Sequence, residues 1–228
     1  MALFIALEGI DGAGKTTQAQ RLIQRLAASY TLSTLVLHEP GGTLLGEEIG
    51  VLLKHNTEAP IAPEAELLLF LASRAQLVRE VIRPALRDGT TVLCDRFSAS
   101  TLAYQGYGRG LDLEKIRALL DFSTEGLAPD LTILLDVPVR VGLGRKKKDE
   151  NPGQLSFFNR EEYDRFRRDR FHDEDSPFHE KVRQGYLKLS DAAMKDSSQG
   201  NWAKIDGTLP VHEVSYLIWE NVEPLLKG

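Results

Sequence analysis

Gly9-Ile10-Asp11-Gly12-Ala13-Gly14-Lys15-Thr16, followed by Thr17, has the G-x-x-x-x-G-K-[ST] spacing of a loop that cradles a polyphosphate. Glycines let successive backbone N–H groups turn inward around phosphate oxygens, and the helix expected to start at Lys15 adds partial positive charge at its N-terminus. Lys15 is the candidate for the β- and γ-phosphates and Thr16 the candidate hydroxyl ligand of Mg²⁺. A glycine turn beside a surface lysine has the same letters, but this motif follows a strand-like run, Phe4 to Glu8, and opens a helical pattern, the context that gives it its meaning.

Three further constellations bear on a second ligand. His38-Glu39-Pro40-Gly41-Gly42-Thr43 follows the second strand-like run, where open α/β sheets place binding loops, although read alone it is equally an ordinary turn. Phe70 and Arg74 lie four apart on one helix face, either an aromatic plane and a guanidinium fork for a base or a core phenylalanine beside a surface arginine. Asp95-Arg96 closes a third strand-like run, so Asp95 is placed to hold a magnesium-bound water and Arg96 to face phosphate, unless the two are a simple ion pair at a strand end.

The elements that must position these groups read as alternating strands and helices, an α/β class with a parallel sheet covered by helices. Five strands are expected near Phe4-Glu8, Thr34-Leu37, Thr91-Cys94, Leu131-Leu135 and Trp202-Ile205. Helices are expected over Lys15-Ala28, Leu44-Leu53, Pro63-Arg87 (kinked at Pro84), Leu113-Ser123, Val139-Lys147, Phe178-Ala193 and Val211-Leu226. The 228 residues fit one domain, without internal repeats. A net charge of -5 argues against a general nucleic-acid binder. With no apolar run of membrane-spanning length and no basic leader, a soluble, cytoplasmic protein is expected. A single cysteine, Cys94, reads as buried filler and makes a thiolate zinc site unlikely. Without an N-K-x-D tetrapeptide, a guanine-nucleotide switch is disfavoured, and a small-molecule kinase leads.

In order and spacing, Leu7 to Thr17, Glu39 to Thr43, Phe70 to Arg74, Asp95-Arg96, Ser100-Thr101, Ala103 to Gly106, Arg109-Gly110, Leu134 to Val137, Val141 to Leu143 with Arg145, Phe178-His179 through Leu187 and Ile205 to Gly207 closely resemble bacterial thymidylate kinases. The resemblance implies a P-loop NTPase fold, phosphorylation of dTMP to dTDP with ATP and Mg²⁺ on the way to dTTP, and a homodimer packed through the long helix. It also implies that Phe70 stacks on thymine, that Arg74 and Thr101 meet its polar edge, and that Tyr104 and Gln105 line the nucleoside pocket beside Glu39 and Pro40. Asp11 would contact the acceptor sugar, Arg96 its phosphate, and Asp206-Gly207 would flank the adenine. Arg145 and Arg170 are the arginines that a lid around 139–177 would bring to the phosphates.

The lid region counts ten Lys/Arg against six Asp/Glu over residues 139–170, a local +4 where polyphosphate is expected, and 146–168 reads as an insertion without a family counterpart. Arg160, Arg165, Arg167 and Arg168 are equally a solvated charged loop. Two positions depart from the family pattern: His38 stands for an arginine and Gly50 for a basic residue, with Lys54 a possible substitute donor. A kinase for another monophosphate, or a nucleotide-binding protein without turnover, stays open on the sequence.

Overall fold

Strand β1 (Phe4–Glu8) sends Ile5 and Leu7 into one apolar core and Phe4 and Ala6 into another, so both faces of the sheet are covered and its strands read as continuous apolar runs. In the computed structural model, which describes residues 2–30, 32–54, 60–148, 174, 176–196, 198 and 200–227, this strand is the centre of a five-stranded sheet. The others are β2 (Thr34–His38), β3 (Thr91–Asp95), β4 (Leu131–Asp136) and β5 (Trp202–Asp206), in the order β2-β3-β1-β4-β5 and all parallel. The expected parallel five-stranded sheet is therefore present.

Every strand ends on an ionisable residue: Glu8, His38, Asp95, Asp136 and Asp206. The last four of these strands run one residue past their expected apolar limit. Ladder pairing belongs to the backbone and does not stop where side chains become polar, as the registers His38 with Asp95 and Asp136 with Asp206 demonstrate. One edge of the sheet thus gathers charge while its body stays apolar.

Helices α1 (Lys15–Tyr30), α8 (Ser176–Lys195) and α9 (Val211–Lys227) cover one face through Leu22, Leu26, Val182, Tyr186, Ile218 and Val222. The other face is covered by the long helical run that starts as α3 (Pro63–Leu77) and continues through a π-helical segment, Val78–Ile82, into α4 (Arg83–Arg87). The irregularity expected at Pro84 takes this form: proline has no N–H for the carbonyl four residues back, and the wider turn just before it relieves the ring. α2 (Leu44–Lys54) packs on α3, and α6 (Leu113–Thr124) meets α3 through Leu67, Leu71, Ile116 and Leu120.

Between β3 and α6 lies an element with no periodic signal, α5 (Ser98–Thr101) running into a second π-helical segment, Leu102–Gly108. It packs closely against α8, with Gly185 facing the Tyr107 ring. α7 (Val139–Lys148) precedes residues 149–173, so Arg170, Arg160, Arg165, Arg167 and Arg168 lie outside the described residues.

A Cβ at Gly185 would stand 2.6 Å from the Tyr107 ring and 2.8 Å from its Cβ. Gly185→Ala is expected to destabilise the fold by about 1–3 kcal/mol, read as a lower midpoint in urea unfolding; an unchanged midpoint would show that the two elements separate freely.

Candidate active site

The phosphate loop joins β1 to α1 and takes backbone angles that a side chain would resist. Gly12 has φ +73, and a Cβ there would fall 2.1 Å from the Gly142 carbonyl oxygen, so the loop lies backbone to backbone on α7. Lys15 folds back over it, donating to the carbonyls of Gly9 and Ile10 at 3.2 Å each, with Asp95 4.0 Å away. Burial, with the Arg96 cation in support, lowers the Lys15 pKa to about 8. Thr16 donates its hydroxyl to Asp95 Oδ2 at 3.0 Å, which joins the loop to the end of β3 and makes a pair of hard oxygen groups suited to Mg²⁺ and its waters. Ala13 is buried, and Thr17 is exposed.

Beside the loop stands Arg96, a non-glycine residue at φ +74, a conformation that costs on the order of 1–3 kcal/mol and persists only where surroundings enforce it. Its Nη2 donates to Asp11 at 2.5 Å and to the Tyr104 hydroxyl at 3.1 Å. Its Nη1 donates to Ser100 Oγ at 3.3 Å and the Tyr186 hydroxyl at 3.1 Å. Burial opposes the charge, but Tyr104, Tyr186, Asp11 and Asp95 more than compensate, and its pKa stays above the ordinary arginine value. Beneath it Glu8, with no exposed surface, accepts from the backbone N–H of Phe97 and Ser100 and from the hydroxyls of Ser100 and Tyr186. Burial pushes its carboxyl upward, and these hydrogen bonds and Arg96 pull it back.

On the other side of Arg96, Glu39 and Arg74 form a buried ion pair, with Arg74 only 1 % exposed. Arg74 Nε and Nη2 both reach Glu39, Nη2 also reaches the Phe97 carbonyl at 3.0 Å, and Nη1 reaches Thr101 Oγ1 at 2.7 Å. Four of the five guanidinium donors are therefore committed within the chain, leaving one Nη1 hydrogen. The arginine is neither on the surface nor presenting an open fork. Burial raises the Glu39 pKa against the pull of Arg74. Pro40 follows Glu39 through a cis peptide bond.

Phe70, a turn earlier on α3, is half-buried. Tyr104 and Gln105 are buried on the second π-helical segment, and Gln105 donates to Glu66 at 2.8 Å. Glu66, 1 % exposed, also takes Arg109 through both oxygens, at 3.2 and 3.1 Å, while Arg109 Nη1 reaches Glu174 at 2.5 Å. Arg145 on α7 donates to the Gly207 carbonyl at 2.8 Å and, longer, to that of Gly12 at 3.5 Å, tying the loop after β5 to the phosphate loop. His38 lies 3.7 Å from Glu47, which accepts from Gly42 N–H. At Gly50 a Cβ would stand 3.3 Å from the Pro40 carbonyl oxygen, a tight contact that would ask the Pro40 turn to give by a few tenths of an ångström.

The structure thus brings together Lys15, Thr16, Asp95, Arg96 and Asp11 on one side and Glu39, Arg74, Thr101, Tyr104 and Gln105 on the other. Sequence reading did not single out Glu8, Glu66 or Tyr186 as site residues; a glutamate ending an apolar strand was the available signal for the first.

Titration with ATP at pH 8 is expected to take up about half a proton, because phosphate oxygens favour the charged amine and return Lys15 to its ordinary range. The sign follows: ATP affinity falls as pH rises through 8. Calorimetry in buffers of different ionisation enthalpy reads the uptake, which should vanish in Lys15→Arg; the same dependence of heat on buffer in both proteins would refute the shift.

A family model described as "Thymidylate kinase" matches residues 7–218. A thymidylate kinase of Geotalea daltonii is 45% identical over 228 residues, covering 100% of both chains, and one from a Synechococcus species is 45% identical over 98% of this chain and 96% of its own. The crystal structure of a thymidylate kinase from Ehrlichia chaffeensis superposes with a TM-score of 0.70 at 30% identity, covering 97% of this chain and 98% of that one. With a phosphate loop bonded through Asp11 to Arg96 and likeness along its whole length, the chain belongs to the thymidylate kinase family.

Proposed function

We propose that the chain transfers the γ-phosphoryl group of ATP to dTMP. The observation that carries this reading is the 2.5 Å contact between Arg96 and Asp11: the arginine of the second pocket touches the loop that holds the donor phosphates, so two phosphates bound at these places abut. In the reaction an oxygen of the dTMP phosphate attacks the γ-phosphorus, the β–γ bridging bond breaks, and dTDP and ADP leave. The phosphate pKa near ~6 leaves the attacking oxygen largely ionised at neutral pH, so no strong base is needed.

Lys15 swings from its carbonyl partners to the β- and γ-phosphates, and Arg96 exchanges Asp11 for the acceptor phosphate. Magnesium, bound with ATP, supplies charge neutralisation across the β- and γ-phosphates; Thr16 would ligate it and Asp95 would hold its water. Phe70 stacks on thymine, the remaining Nη1 hydrogen of Arg74 and the Thr101 hydroxyl meet its edge, and Tyr104 and Gln105 close the pocket. Asp11 meets the sugar, and Glu39 and Pro40 shape the wall beneath Arg74. Residues 1–228 act as a single kinase domain whose 139–177 segment is a lid, with Arg145 and Arg170 its phosphate-directed arginines. Lid closure excludes water, so ATP hydrolysis without acceptor is slow.

A homodimer is part of the same proposal, and exposed apolar side chains on α2, α3 and α6 support it. Leu67 and Leu71 are spent inside the chain against α6, but Leu68 is 57% exposed, Leu44 89% and Phe122 83%, apolar side chains left for a second copy to cover. No helix among the described residues is long and apolar enough to cross a membrane, which fits a protein working in the cytoplasm on soluble nucleotides.

Coupled ADP release with a panel of monophosphates should be selective for dTMP and abolished in Lys15→Ala. Phe70→Ala should raise KM for dTMP by about tenfold or more, since stacking on a base is worth ~1–3 kcal/mol. Turnover with no monophosphate would leave only a nucleotide-binding protein. For assembly, Leu68→Asp with Phe122→Asp should sediment as a monomer where the parent chain sediments as a dimer; an unchanged coefficient would place the interface elsewhere.

A further inference from the structure

Glu8 touches neither pocket directly, yet four donors from two distant parts of the chain converge on it. Its Oε1 accepts from Phe97 N–H at 2.8 Å and Ser100 N–H at 3.2 Å. Its Oε2 accepts from Ser100 Oγ at 2.6 Å and from the Tyr186 hydroxyl at 2.9 Å. A hydroxyl has one proton and two lone pairs. Ser100 Oγ and the Tyr186 hydroxyl also stand 2.7 Å apart, so either both protons run to Glu8 or one runs between the two hydroxyls and the other to Glu8; in each arrangement both oxygens keep a lone pair for Arg96 Nη1, at 3.3 and 3.1 Å.

We propose that Glu8 is a positioning residue for the acceptor phosphate: through the hydroxyls of Ser100 and Tyr186 it fixes the Nη1 edge of Arg96, leaving the Nη2 edge to exchange Asp11 for phosphate. This rests on the reading of Arg96 as the acceptor-phosphate ligand. The division between the two edges is visible in the partners. Nη1 is held by neutral hydroxyls that are themselves anchored on a carboxylate with no exposed surface. Nη2 is held by Asp11, 18% exposed at the mouth of the phosphate loop, and by Tyr104. The geometry also explains why a left-handed backbone at Arg96 is tolerated: Arg96 N–H stays bonded to Leu7 O at 2.9 Å while its side chain is pinned from below.

Glu8→Gln keeps shape but brings an amide NH₂, which donates to the hydroxyls and turns their protons toward Arg96. Because the effect runs through the phosphate, the discriminating readout is the ratio of affinities for dTMP and for thymidine, which lacks the phosphate. Glu8→Gln should weaken dTMP by about ten- to a hundredfold, the worth of one or two hydrogen bonds to a charged group, and leave thymidine binding within about twofold. Tyr186→Phe should do the same more mildly. In the double variant the losses should fall short of their product, since both act on one chain of contacts.

Equal weakening of dTMP and thymidine, or full additivity of the two substitutions, would overturn the proposal and assign Glu8 a role in folding alone. If Glu8→Gln does not fold, Tyr186→Phe and Ser100→Ala carry the same ratio. Arg96→Ala separates the two levels of the argument. Loss of the dTMP preference there, with Glu8→Gln retaining it, defeats this inference and keeps the reading of Arg96; retention of the preference in Arg96→Ala defeats both.

Discussion

Three buried carboxylates, Glu8, Glu39 and Glu66, organise this site. An ionised group removed from water costs several kcal/mol unless partners replace the lost hydration, so its partners cannot be placed loosely. Glu39 takes Arg74, Glu66 takes Gln105 and Arg109, and Glu8 takes two backbone N–H groups and two hydroxyls. These partners are the side chains proposed to line the nucleoside and phosphate pockets, or they touch them. The acceptor side is in this sense built outward from buried acids, with the cations as the visible layer.

The parallel sheet makes that arrangement possible. All five strands deliver polar ends to one edge, so Glu8 and Asp95, far apart in sequence, become neighbours across adjacent strands. The segment from Ser98 to Gly108 then crosses this edge and presents Ser100, Thr101, Tyr104 and Gln105 toward it. A π-helical stretch there shifts side-chain directions from those of an α-helix, and α8, packed on it through Gly185, adds Tyr186 from the far end of the chain.

Legibility in the sequence followed the range of the forces involved. The five strands, the phosphate loop and the long helices were readable because apolar runs, glycine spacing and helical periodicity are local signals. Arg74 and Asp95 could be picked out as chemical groups, but the closed partnership of Arg74 with Glu39, Thr101 and Phe97 could not, since it joins residues 23 to 35 positions apart. Glu8 and Glu66 were less legible still. Nothing in the neighbourhood of a glutamate tells which hydroxyl 92 or 178 residues away will meet it. The π-helical segments also escaped, because one extra residue in a turn leaves no periodic trace.

Arg96 combines a guanidinium bonded to Asp11, Ser100, Tyr104 and Tyr186 with a backbone angle that favours glycine. Those two demands pull the codon in opposite directions. Glycine would relax the main chain and delete the charge; any other side chain would keep the strain and misplace or lose the donors. The position therefore has no gradual route of improvement, and substitution there trades a quieter backbone against the loss of the very group for which the strain is maintained.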